Sequence, residues 1–85
     1  MPSGEWPDWW EWELELSPHL IKRMADRDFT EADLRTMLQD ADGWTVTPNP
    51  ERYLISCRLA GRPWKIVVEP DEVEQLLVVV TAFPT

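Results

Sequence analysis

The chain has 85 residues and a formal net charge of −8, a length that fits one domain. This acidity argues against general nucleic-acid binding, which favours a basic surface, but it leaves room for a local basic site. The single cysteine, Cys57, excludes a disulfide framework within one chain and favours a reducing setting. No apolar run approaches the roughly 20 residues that span a bilayer, and the acidic, Trp-rich start is unlike a signal peptide. We therefore expect a cytoplasmic protein without a membrane segment.

The start of the chain predicts an irregular lead-in followed by one strand. Residues 1–8 contain two prolines and a glycine, whereas residues 11–16 alternate between glutamate and an apolar residue. Alternation with a period of two is typical of a strand with one apolar face. Tryptophans are concentrated here and stand among acids, which would repel phosphates. We expect them to pack in the core, to bind a protein partner or to meet a second subunit: Trp6, Trp9, Trp10 and Trp12.

Two helices are predicted next, each from its first residues. Ser17 is a preferred N-cap and Pro18 a preferred first helical residue, so a helix should run to about Asp28. Thr30 caps a second helix with a capping box, and Gly43 is expected to end it.

The rest of the chain predicts strands at residues 44–47, 52–60, 64–69 and 75–83, with a tight turn at Gly61 and Arg62. The last strand carries an unbroken apolar run, which favours a central strand covered on both faces. The order β-α-α-β-β-β-β is typical of an α+β domain in which two helices pack on an antiparallel sheet of about four to five strands. We expect a single domain over residues 1–85.

The polar face of the first helix is mostly basic. His19, Lys22, Arg23, Asp26 and Arg27 fall within one arc of the helix. A histidine in the first turn is favoured in its neutral form, which suits a general base, and a guanidinium one turn later can hold a phosphate. The alternative is a solvated face on which the cations balance Asp26.

A second group of polar residues lies on three adjacent predicted strands: Arg52, Arg58, Lys65 and Thr81. Arg58 and Lys65 flank the predicted hairpin turn and are expected to lie nearly opposite each other, where an anion would relieve their repulsion. The alternative is that these cations pair with the many nearby acids. Cys57 lies on the apolar side of its strand and is expected in the core. No metal-ligand spacing, phosphate loop or catalytic triad pattern is present, so we predict no metal and no cofactor.

Residues 17–34, SPHLIKRMADRDFTEADL, resemble the opening S-x-H-x-x-x-R-M-x-x-R-x-(aromatic or aliphatic)-(S/T)-x-x-D of a small bacterial RelE/BrnT-like family. Residues 64–68 and 79–83 resemble the last hairpin of that family, and the resemblance covers about residues 12–83. It implies the fold of metal-independent ribonucleases and toxins that includes barnase, EndoU, colicin nuclease domains and RelE. It also implies an antitoxin as the partner that silences the protein.

The resemblance also implies residue roles. His19 matches the histidine of the motif, Arg23 and Arg27 match its basic helix positions, and Lys65 and Thr81 match its strand positions. In RNA scission the 2′-OH attacks the adjacent phosphate, with His19 as base or acid. Three cations would stabilise the charge that develops on the phosphate: Arg23, Lys65 and, placed by spacing alone, Arg58. Three further cations would bind substrate: Lys22, Arg27 and Arg52.

The chain is more acidic than toxins of this kind usually are. This difference predicts either the loss of catalysis or one narrow RNA substrate bound in one place. The hypothesis from another class is a non-catalytic interaction protein of the same fold. It would bind a protein partner, or a second copy of the chain, through its acidic, Trp-rich region.

Overall fold

The computed structural model describes residues 6–85, and the lead-in residues 1–5 lie outside the described part. Within it the chain forms two helices, five strands and one 3₁₀ turn. In chain order these are the turn Asp8–Glu11, β1 at Glu13–Leu16, α1 at Pro18–Arg27, α2 at Glu31–Gln39, β2 at Gly43–Val46, β3 at Tyr53–Leu59, β4 at Arg62–Asp71 and β5 at Leu76–Pro84. The predicted α+β class, with two helices and five strands in the expected order, is confirmed.

The five strands form one sheet in the order β1-β5-β4-β3-β2. The pairs β2–β3, β3–β4 and β4–β5 are antiparallel, whereas β1 runs parallel to β5, with Leu14 opposite Leu77. The sheet is therefore mixed, and not antiparallel throughout. The first and last strands meet because β1 leads directly into α1, which packs against β5.

Both helices begin where their caps predict. The Ser17 hydroxyl accepts a hydrogen bond from the Leu20 amide at 3.0 Å, and Thr30 and Asp33 form a reciprocal capping box. The end of α2 differs from the prediction, because the helix stops at Gln39 and Gly43 is already the first residue of β2. The chain has joined the sheet by then, since the Asp42 amide donates to the Ser56 carbonyl at 2.8 Å.

The hydrophobic core lies between the two helices and one face of the sheet. α1 packs on β5 and α2 on β3. The buried side chains of the strands all point to this side: Ile55, Cys57, Trp64, Ile66, Val68, Leu77, Val79 and Ala82. β5 is an inner strand, as its apolar run predicts, but the described residues cover only one of its faces, because Val78 and Thr81 on the other face are half-buried. No described element packs over that face.

The N-terminal tryptophans fold back onto the helix side of the sheet. Trp9 is 8% exposed, and its ring centroid lies 5.0 Å from that of Tyr53 and 6.1 Å from that of Trp44. The other three are half-buried against the same core: Trp6, Trp10 and Trp12. Core packing is thus the role of Trp9, and a partner could reach only the other three.

Candidate functional site

The first helix is fastened to the outer edge of β5. β1 pairs with β5 only as far as Val79, and α1 continues along the edge from that point. The Ser17 hydroxyl donates to the Val80 carbonyl at 2.8 Å, and Nη1 of Arg27 donates to the Ala82 carbonyl at 2.8 Å. These two bonds lie on either side of Thr81. The residues of α1 between Ser17 and Arg27 are therefore held along the edge of β5 near Thr81.

The two flanks of α1 differ in chemistry. Leu20 is fully buried and Met24 packs against the core, so this side of the helix faces the sheet. At 100° per residue, His19 and Arg23 lie on the flank away from Met24. His19 is exposed to solvent. Ile21, on the side of the helix opposite His19, is 56% exposed, so the buried stripe of this helix is narrow.

Arg23 occupies the middle of this helix flank. Its Nη1 donates a hydrogen bond to Oδ2 of Asp26 at 3.1 Å, and the two side chains form an ion pair near the surface. Its Nε atom is buried and has no hydrogen-bond acceptor among residues 6–85. A buried donor without an acceptor costs about 1–3 kcal/mol. An anion that reached this atom would supply the hydrogen-bond acceptor that the described part of the protein lacks.

Lys65 and Thr81 lie together on the helix-free face of the sheet. Their sequence neighbours Ile66 and Ala82 are buried on the helix side, and alternation along a strand points Lys65 and Thr81 the other way. Thr81 is opposite Val67, two residues from Lys65, so the two are diagonal neighbours, roughly 7–8 Å apart. Nζ of Lys65 donates to the Ser56 hydroxyl at 2.7 Å.

Arg58 lies at the margin of this group. It pairs with Pro63 and not with Lys65, so the expectation that the two cations are directly opposite is wrong and they are diagonal neighbours. The turn explains the difference, because its two central residues are Ala60 and Gly61, with φ of 51° and 79°, one position earlier than predicted. The exposed Arg58 donates from Nη1 to the Gly61 carbonyl at 3.3 Å.

Arg52 is separate from the group. Its Nε donates to Oε1 of Glu69 at 3.0 Å in a half-exposed ion pair, and Glu69 lies four residues along β4 from Lys65. For Arg52 the structure shows the alternative prediction, in which the cation pairs with a nearby acid. Lys22 is exposed on α1, one residue before Arg23 and farther round the helix.

Cys57 is in the core, as its strand position predicts. It is 2% exposed, and burial, together with the negative charge of Asp42, raises the pKa of its thiol to about 11. A thiol that stays protonated at neutral pH is a poor nucleophile. Among residues 6–85, no three His, Cys, Asp or Glu side chains are grouped as metal ligands.

Two cavities of the described part lie away from His19. One, of about 580 Å³, opens between the N-terminal turn and α2; its apolar lining residues are Trp10, Trp12, Leu14, Leu38 and Leu77. Another, of about 600 Å³, adjoins the β4–β5 turn and is rich in acids: Glu51, Glu69, Asp71 and Glu72. Neither the helix flank nor the Lys65–Thr81 pair lines these cavities, and such uncovered positions are better suited to an extended polymer than to an enclosed small molecule. The apolar cavity was not predicted, and the density of tryptophans before residue 13 is the only sequence signal for it.

The fold and the site define a class: a small α+β domain whose first helix carries an exposed histidine and two arginines along the edge of a mixed sheet. A model of the family described as "Domain of unknown function (DUF4258)" matches residues 16–84, most of the chain. The chain belongs to the DUF4258 family. No curated protein and no solved structure matches it. No helix of the described residues is long and apolar enough to cross a membrane.

Proposed function

We propose that this protein is a metal-independent endoribonuclease of the RelE/BrnT-like type. RNA would lie across the flank of α1 that carries His19 and the adjacent part of the sheet that carries Lys65 and Thr81. The observation that carries the proposal is the attachment of α1 to β5 on both sides of Thr81. It holds the His19–Arg23 flank at the outer edge of β5, whereas Lys65 and Thr81 lie on the other face of the sheet, so the RNA would have to cross this edge to contact both groups.

The chemistry follows from these groups. The 2′-oxygen of a ribose forms a bond to the adjacent phosphorus while the bond from phosphorus to the 5′-oxygen breaks. His19 takes the proton of the 2′-OH, or in its protonated form gives one to the leaving 5′-oxygen. Arg23, through the exposed part of its guanidinium, and Lys65 stabilise the added negative charge on the phosphate. The products are a 2′,3′-cyclic phosphate and a free 5′-OH.

The net charge limits the kind of substrate. A chain of net charge −8 gains little from long-range attraction to RNA, so binding has to come from a few local contacts. This favours one RNA structure over general degradation. We further propose a cytoplasmic location and an antitoxin partner. The RelE/BrnT-like resemblance supports both, and the single, free Cys57 supports the location alone.

A second candidate is a non-catalytic interaction protein. It is favoured by the apolar cavity of about 580 Å³, where Trp10 and Trp12 remain half-buried. In that case a protein partner would insert an apolar side chain there, and His19 would be dispensable.

The deciding experiment incubates total RNA with purified wild type, His19→Ala and Ile21→Ala. Ile21 is the matched control because it lies on the same helix, is exposed and faces away from the proposed site. We expect wild type and Ile21→Ala to release fragments with 2′,3′-cyclic phosphate ends, with or without EDTA. His19→Ala should be slower by roughly 10²–10⁴-fold, the usual contribution of a general acid–base group.

The proposal fails if the wild type leaves all RNA intact and its expression is harmless to cells. It also fails if His19→Ala cleaves as fast as Ile21→Ala. Loss of a co-purifying protein partner on Trp10→Ala, with RNA intact throughout, would instead support the interaction protein.

A further inference from the structure

The sheet has one face without a covering element in the described part of the chain. Alternation of the strands places a band of half-buried apolar side chains there: Leu54, Val67, Leu76, Val78 and Phe83. None of these belongs to the buried core, whose members all lie on the helix side. We call this surface the open face. A contiguous apolar band on a folded protein marks a surface that another molecule covers.

Charges are sorted along the strand direction of the open face. At the end near the β4–β5 turn, β1 and β4 contribute acids: Glu13, Glu15, Glu69 and Asp71. At the end near the β3–β4 hairpin, the strands contribute Arg58 and Lys65. Of these four acids, Glu69 alone forms an ion pair with a described residue of its own chain, and its partner is Arg52. The open face thus has an acidic end and a basic end, with Leu54 and Val67 between them; the other apolar residues stand in the same rows as the charges.

We infer that the open face binds a second copy of this chain. The argument is one of symmetry. A two-fold axis that lies between the two sheets and runs across the strands reverses the strand direction of the partner and places each strand over its own copy, so charges at opposite ends of the same strand meet across the interface. Val67 is two residues from Lys65 and two from Glu69, so an axis through Val67 brings Lys65 over Glu69 of the partner subunit. A closed pair of this kind is the commonest form of protein assembly.

The middle of the face suits this axis. The row Leu54, Val67 and Thr81, which crosses β3, β4 and β5 in register, would lie on the axis and meet its own copy. This row contains no charged residue, so no like charges meet on the axis, where each residue faces its own copy. A partner of uniform charge, such as a nucleic acid, would meet the acidic end unfavourably if it covered the whole face.

The size of the face predicts the strength of the contact. Three strands that each contribute about seven residues and two strands of four residues, about 4.8 Å apart, give a surface of roughly 460 Å². Two such faces bury about 900 Å², in the range of weak interfaces. We therefore expect a dimer that dissociates in the micromolar range. This inference does not rest on the proposed ribonuclease activity, and either can fail alone.

The test is the mass of the protein in solution, measured by sedimentation between roughly 1 and 200 µM, a range that brackets weak association. Wild type should pass from monomer to dimer. Val67→Glu places two like charges on the axis and should stay monomeric across the whole range. Val73→Glu is the matched control: Val73 is 91% exposed in the β4–β5 turn, outside the face, and this variant should dimerise like the wild type.

A charge-reversal pair keeps the inference testable if Val67→Glu does not fold. Lys65→Glu alone and Glu69→Lys alone each set like charges against each other across the axis, and each should shift dissociation to higher concentration by tenfold or more. Mixed together, they restore two opposite-charge contacts and should form a heterodimer. A wild type that is monomeric up to 200 µM, a dimer that survives Val67→Glu, or a mixture that does not associate would overturn the inference.

Discussion

Ser17 joins two parts of the fold, and its replacement by alanine tests how the helix that carries His19 is held. The hydroxyl accepts from the Leu20 amide as an N-cap and donates to the Val80 carbonyl at 2.8 Å. Loss of an N-cap costs about 1 kcal/mol, and loss of a further hydrogen bond to a half-buried carbonyl costs about 1 kcal/mol more. Ser17→Ala should therefore lower the free energy of unfolding by about 2 kcal/mol, or the melting temperature by roughly 8–16 °C.

Thr30→Ala is the matched control, because Thr30 caps α2 without any bond to a strand. It should cost about 1 kcal/mol. Urea or thermal unfolding, followed by circular dichroism, gives both values. If the two variants are destabilised equally, the bond from Ser17 to Val80 contributes nothing, and Arg27 provides the remaining side-chain hydrogen bond from α1 to β5. That outcome would refute the account of how His19 is positioned.

Three further changes test the core and the edge of β5. Arg27→Met removes the donor to the Ala82 carbonyl but keeps the aliphatic chain; it should cost about 1 kcal/mol in urea unfolding, and Arg27→Lys should recover part of the loss. Trp9→Ala should cost roughly 3–5 kcal/mol in the same assay because it empties a buried aromatic site; a loss below 1 kcal/mol would mean that the aromatic cluster is not core. The raised pKa of Cys57, from 9.0 to about 11, means that the native thiol keeps its proton after the unfolded thiol has lost it. Stability should therefore fall between about pH 9 and pH 11 more steeply in wild type than in Cys57→Ala, as the urea midpoint at each pH would show.

Local signals in the sequence predict the local features of this fold. The caps at Ser17 and Thr30 act within three residues of their own position, and the period-two alternation of β1 is visible without knowing what the strand pairs with. The pairing itself is different. β1 and β5 are more than 60 residues apart, and nothing in residues 13–16 distinguishes a parallel neighbour from an antiparallel one. The same limit explains β5, whose apolar run predicts cover on both faces although residues 6–85 cover only one of them.

The candidate site divides in the same way. The flank of α1 with His19 and Arg23 follows from helical spacing alone, and it is exposed as that spacing predicts. Which strand cations join it depends on register. Because the turn is centred on Ala60 and Gly61, Arg58 is a diagonal neighbour of Lys65 and does not lie directly opposite it. Arg52 does not join these cations, because it forms an ion pair with Glu69. One residue of register, which composition does not determine, decides whether two strand cations converge on one phosphate.

The two proposals make a joint prediction that neither makes alone. Lys65 and Thr81 belong both to the proposed cleavage surface and to the open face, so a dimer would cover the groups that RNA has to reach. The monomer would then be the active form, and the acidic end of the partner subunit would occupy the place of the phosphates. With RNA in excess, the cleavage rate per chain should fall as the protein concentration rises through the dissociation constant of the dimer, and salt that weakens the dimer should move that fall to higher concentration. A rate per chain that stays constant while sedimentation shows the dimer forming would mean that RNA is cleaved somewhere other than the open face, and His19 would then have to act with residues of α1 alone.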